Sequence, residues 1–197
     1  MSEHAIADVG DTLVTLLRNG ITNLDPDQIA LMSPADAQGN SRIRLTLFLY
    51  SVVEFPAMKN EPALVTSPTE IRRPPLHLEL YYLLTSYPGT GSAHENTLEA
   101  HRILGRAMQI YYDNGILAGS ILQGNLPPDH ELRLTLNPIT VEDLTRIWSV
   151  FPNSGYHPSV SYLVSPATID SRRFVGAPRV VDKRVAADHL VPTGGGS

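Results

Sequence analysis

Between Leu76 and Tyr87 apolar side chains return at every second position. Leu76, Leu78, Leu80, Tyr82 and Leu84 fall on one face, and His77, Glu79, Tyr81, Leu83 and Thr85 on the other. A period of two predicts a half-buried strand, here with an apolar and aromatic second face. Pro88, Gly89 and Gly91 break that pattern. From about His94 the spacing changes to threes and fours through Ala100, Ile103, Leu104, Ala107 and Tyr111. Such a stripe belongs to a long amphipathic helix, and Asn114 and Gly115 supply its C-terminal stop.

The same test divides the rest of the chain. Ile6, Val9, Leu13, Leu16 and Leu17 make a helical stripe over 6–19, ended by Gly20. The apolar segment Gln28 to Met32 lies between Pro26 and Pro34 and is at most a short strand. From Arg42 to Val53, Ile43, Leu45, Leu47, Leu49 and Val53 alternate with Arg42, Arg44, Thr46, Phe48, Tyr50 and Val52. The polar face turns apolar in its second half, which predicts that the strand enters there the middle of a sheet covered on both faces. Glu54 to Pro75 is proline-rich and weakly periodic, so it reads as a long ordered loop or a projecting hairpin, an interface candidate.

Residues 119–130 read as loop, and Leu132, Leu134 and Leu136 alternate as a strand over 131–136. Thr140 with Asp143 three residues on is a capping-box signal ahead of Val141, Leu144, Ile147, Trp148 and Phe151. Trp148 is expected to anchor the core. His157 to Val164 is the last strand. Consecutive strands outnumber strand-helix-strand units, so the expected fold is α+β: a mixed, mainly antiparallel sheet flanked by helices. The composition changes beyond Pro166, giving an expected single domain over 1–169 and an extended or disordered C-terminal tail over 170–197.

Composition narrows the function. A chain of 197 residues, 42% of them hydrophobic, is long enough for one sizeable core. Its net charge of -5 carries no basic footprint, so nucleic acid is not an expected partner. Without cysteine there is no disulfide, thiolate nucleophile or cysteine metal site. No apolar run approaches the roughly 20 residues of a membrane span. The opening residues lack a basic leader with an apolar core, so the chain is expected to be made in the cytoplasm.

Catalytic patterns are equally sparse. Gly-x-Ser-x-Gly does not occur, and the segment from Gly89 to Ser92 lacks the third glycine and the lysine of a phosphate loop. His94 and His101 lie seven residues apart on the central helix, and His77 and Glu79 share a strand face. Neither pair has the four-residue histidine spacing that clamps one ion. Glu142 and Asp143 open a helix, where its dipole accounts for them. No enzyme, cofactor or metal is expected.

Three stretches carry a likeness: PPLHLELYYLLTSY, then AHRILGRAMQIYYDNGIL, then LRLTLNPITVEDLTRIWSVF. In this order, between an N-terminal helix with LTLFLYSVVEF and the closing YHPSVSYLVSP, they resemble the cap, or tail-terminator, proteins of extracellular contractile injection systems of the antifeeding-prophage and virulence-cassette type. The resemblance runs from about Ile6 to Ile169. It implies a tail-terminator-like fold and a structural role: a ring of six copies on the distal end of an inner tube and its sheath, coupling the two. The implied partners are the chain itself, a tube protein and a sheath protein, within a phage-tail-like particle whose release from the cell is left open. A contractile phage tail terminator and a free-standing, monomeric adaptor domain are the alternatives. The resemblance assigns no contact residues. Position and expected exposure single out Arg72 and Arg73 in the long loop, with Arg172, Arg173, Phe174 and Val175 in the tail, a valine-bearing extended segment of the sort that adds to a neighbour's sheet edge.

Overall fold

The computed structural model describes residues 3–59, 64–67 and 70–176. Helix α1 spans Ala5–Gly20 and is followed by strand β1, Ile29–Leu31, the short helix α2, Pro34–Gln38, and strand β2, Leu45–Glu54. A hairpin of β3, Leu64–Ser67, and β4, Glu70–Arg72, precedes the central strand β5, Leu76–Ser86. Helix α3 covers Ala93–Asp113. After it come β6, Ile116–Leu117, β7, Leu132–Asn137, helix α4, Val141–Ser149, β8, Ser159–Ile169, and β9, Phe174–Gly176.

Six strands form one sheet in the order β1-β2-β5-β8-β7-β6, and β3-β4-β9 form a second. Every pairing is antiparallel except that of β1 with β2. This is the mixed, mainly antiparallel α+β fold the periodicities predict. β5 sits centrally because its alternation is apolar on both faces: Leu80, Leu83 and Leu84 are fully buried, and Tyr82 is nearly so.

Helices α1 and α3 cover one face. Leu13 and Leu17 of α1 join Ile103, Ala107 and Tyr111 of α3 over Leu45, Leu47, Leu80, Leu84 and Val164 in a single cluster. Tyr111 meets Tyr162 edge to face at 4.9 Å and donates its hydroxyl to the Leu13 carbonyl at 3.3 Å. Burial of that ring pushes its pKa well above the ordinary tyrosine value, and burial likewise pushes Tyr162 up to about 12. On the opposite face Phe151 packs edge-on against Phe48 at 5.6 Å.

The helix starts follow their capping residues. Ser92 accepts from the Glu95 amide at 3.4 Å, and Thr140 from the Asp143 amide at 3.1 Å, while the Asp143 carboxylate returns to Thr140. Trp148 is buried as expected, but it stands apart from the main cluster, against Tyr156 at 5.6 Å and His157 at 5.9 Å. Arg44 fixes the turn from β5 to α3: its Nε donates to the Tyr87 carbonyl at 3.2 Å and its guanidinium pairs with Glu99 at 2.8 Å. A Cβ at Gly89 would run into that guanidinium and displace it.

One expectation is reversed. In β2 the first half is buried on both faces, at Leu45, Thr46 and Leu47, and the second half is exposed, with Val52 and Val53 over two-fifths open to solvent. The strand enters the sheet interior at its start and runs out of the helix-covered area at its end, past a bulge between Leu49 and Ser51. The last strand is also longer than its alternation suggests, reaching Ile169, and β9 follows it.

Candidate assembly surface

The segment Glu54 to Pro75 contains a hairpin, and β9 adds to it as a third strand. Arg72 pairs with Phe174, Ile71 with Val175 and Glu70 with Gly176. Residues about a hundred positions apart in the chain therefore share one small sheet. The Arg72 Nε donates to the Ser171 carbonyl at 2.8 Å, and its guanidinium lies 3.6 Å from the Asp170 carboxylate. The Arg73 amide donates to the Arg173 carbonyl at 3.3 Å, and the Arg173 amide to the Ser171 hydroxyl at 3.1 Å.

Arg172 turns the other way. Its guanidinium reaches both carboxylate oxygens of Glu3, at 2.7 and 2.9 Å. A backbone hydrogen bond, then the Arg172 charge, hold the Glu3 carboxyl below its ordinary pKa. Both partners are solvent-exposed, so the pair tethers the start of α1 to the segment before β9 and adds little stability. Of the six residues singled out from sequence, Arg72, Phe174 and Val175 lie on this ladder, Arg73 and Arg173 extend it by one hydrogen bond and are exposed, and Arg172 lies beside it, turned to Glu3. The side chains of Phe174 and Val175, and everything from residue 177 on, lie outside the described residues.

Beside this ladder is a cavity of about 430 Å³ walled by Glu54, Lys59, Arg73, Leu76, His77 and Asp170. Charges of both signs meet there, as at a protein-protein rim. Among the described residues no cluster of three or more His, Asp or Glu is placed to hold a metal ion, and no helix is long and apolar enough to cross a membrane.

A second surface escapes the sequence reading. The C-terminal half of α3 and the free side of β7 enclose a groove of about 690 Å³, lined by Met108, Tyr112, Leu134, Leu136 and Tyr162 among others. Tyr112 is 88% exposed and Leu136 is 50% exposed. Tyr112 follows the buried Tyr111 directly, so the helical stripe takes one ring inward and leaves the other at the groove.

Residues 8–183 match the Pvc16 N-terminal domain. The chain belongs to the Pvc16 N-terminal domain family. Two solved cryo-EM structures share its fold. One is the PVC sheath/tube terminator of an extracellular contractile injection system in the extended state, with a TM-score of 0.62 and 16% identity over 98% of this chain and 65% of that one. The other is the anti-feeding prophage cap, described as a tube-terminating cap, with a TM-score of 0.65 and 16% identity over 92% of this chain and 61% of that one. This Pvc16-type domain therefore spans just under two thirds of either chain. No curated protein matches it by sequence.

Proposed function

We propose that this Pvc16-type domain is a structural cap that terminates the inner tube and sheath at the distal end of a phage-tail-like contractile injection system and couples the two. The observation that carries the reading is the fold, shared over 98% of the chain with a sheath/tube terminator. A terminator has to match a tube end on one side and offer no equivalent surface on the other. A head-to-tail contact that closes into a ring does this, whereas one that does not close continues as a filament. Six copies of the chain form the ring in this reading, with tube and sheath proteins as partners and no nucleic acid or membrane. The role is structural and not catalytic, and the protein is made in the cytoplasm before joining the particle. Residues 1–169 are the cap body and 170–197 an arm rooted on the β4 ladder, where Arg72, Arg73, Arg172 and Arg173, with Phe174 and Val175, contact a neighbour.

Light scattering of the purified protein, with negative-stain images before and after adding tube protein, tests the reading. Closed rings, alone or on tube ends, and arrested tube growth are expected. A strict monomer that ignores tube and sheath would instead identify an adaptor domain. Truncation after Ile169 tests the arm: unchanged ring formation and particle assembly would remove it from the interface.

A further inference from the structure

We infer that two copies of this chain join sheet to sheet, the β1/β2 margin of one docking on the β6/β7 margin and α3 groove of the next. This rests on the ring reading above and names its contact surface.

The inference begins with where apolar side chains are left exposed. Of the eleven large hydrophobic residues exposed among those described, six lie at the two margins of the main sheet: Leu31, Val52 and Val53 at one, Tyr112, Ile116 and Leu136 at the other. Both margins are also half bare in hydrogen bonding. Among the described residues β1 pairs only with Leu45, Thr46 and Leu47 of β2, with Met32 adding one bond to the Leu47 carbonyl. Among the described residues β6 pairs only with Leu132 and Arg133 of β7, and Gly115 accepts from Leu134. The outer sides of 49–54 in β2 and 135–137 in β7 have no ladder partner within the described sheet. Open, apolar strand edges of this kind are templates for pairing with another chain.

Topology makes the two margins fit each other. From β2 through β5 and β8 to β7 each step is antiparallel, so β2 and β7 run in opposite directions. A second copy placed with its β2 margin outside the first copy's β7 margin keeps its orientation, giving the head-to-tail contact a ring needs. Each short strand covers the start of its long neighbour, and those starts lie at opposite ends of the sheet. The two short strands therefore occupy opposite ends of the one column between the copies: β6 lies about level with the bare end of β2 at Val53, and β1 lies just beyond the bare end of β7, since Asn137 is level with Phe48 and Leu31 with Leu47.

The registers agree. Leu49, Tyr82, Tyr162 and Leu136 form one cross-strand row, and Val52, Leu80, Val164 and Leu134 another. The row after the second brings Val53 and Ile116, on opposite margins, to about the same level. Val52 shares the helix-covered face with Leu80, so the incoming margin presents it toward the groove held open by Tyr112 and Leu136.

The chain has no cysteine, so single thiols can be placed cleanly. Val53→Cys and Ile116→Cys proteins, mixed on tube protein with a flexible bis-maleimide, are expected to give a mixed covalent dimer, and the double variant a ladder ending at the closed ring. Tyr112→Glu is expected to abolish rings while far-UV circular dichroism and the urea midpoint stay unchanged. Rings that form without the mixed dimer, or that give mainly Val53→Cys or Ile116→Cys self-dimers, would overturn this surface and leave the cap reading standing. Absence of any ring, alone or on tube protein, would overturn the cap reading and this surface with it.

Discussion

Leu80 and Leu136 lie on the same face of the same sheet, one in the central strand and one at the margin, and they separate core from assembly surface in a single comparison. Leu80 is fully buried, while Leu136 is 50% exposed beside the α3 groove. Leucine to alanine removes three carbons' worth of side chain, about 2.4 kcal/mol at roughly 0.8 kcal/mol per buried methylene. At Leu80 the close-packed surroundings leave a cavity, which brings the expected loss to about 2–5 kcal/mol. At Leu136 about half of the transfer contribution applies and no closed cavity forms, so the expected loss is about 1 kcal/mol. Against a typical domain stability of about 5–15 kcal/mol, the first change removes a large share and the second a small one. Urea unfolding followed by tryptophan fluorescence and circular dichroism measures both, with equal slopes required before the midpoints are compared. Ring yield on tube protein supplies the second readout: Leu136→Ala is expected to lower it far more than its stability loss explains. A Leu136→Ala loss as large as that of Leu80→Ala would mean that the β7 margin is packed within the monomer, and the groove would not be a free surface.

Three further outcomes follow from the local chemistry. Burial lowers the His157 pKa from its ordinary 6.5, so between the lowered value and 6.5 the unfolded chain binds a proton that the folded chain does not. Stability is expected to fall as the pH drops through 6.5, and His157→Phe, which keeps a ring against Tyr87 and Trp148, should flatten that part of a urea-midpoint profile; an unchanged slope would exclude His157. Thr140→Ala removes the α4 cap and should cost about 1 kcal/mol in the same assay, with Thr140→Ser recovering most of it. Arg172→Ala should leave monomer stability nearly unchanged because its pair with Glu3 is exposed, so any marked fall in ring formation on tube protein would report a neighbour's contact.

The long periodic elements were legible because a stripe of five or more apolar positions fixes its own period. α1, β5 and α3 appear within a residue or two of where their spacing puts them. The two-residue β6 and the three- and four-residue strands of the hairpin and β9 are too short to show a period; pairing across the chain creates them. β2 shows why alternation does not report burial. Val52 and Val53 are as apolar as a covered face requires, yet both are exposed. The small second sheet was half legible: Arg72, Arg73, Arg172 and Arg173 stood out as charge, but only the fold brings Arg72 and Arg73 beside Arg173 and Phe174 and turns Arg172 to Glu3. The apolar margins were not legible at all, because how much of a strand's edge is left bare depends on the length of its neighbour.

The loop after β6 is stitched to the first helix: the Gln123 amide donates to the Thr12 hydroxyl at 2.9 Å and the Asn125 amide to the Asp8 carboxylate at 3.1 Å. With Tyr111 reaching Leu13, and β8 against α1, part of the cover over Val9, Leu13 and Leu17 comes from the second half of the sequence, and β1 and β2 supply another part. Such distant closures make folding slow, since chain entropy is lost before the contacts that offset it can form. A nascent chain therefore leaves part of the α1 stripe uncovered until β8 has been synthesised. Premature association through the sheet margins and exposure to holding chaperones both belong to that interval. In the ring proposed above, each subunit would mature first and join its neighbours afterwards.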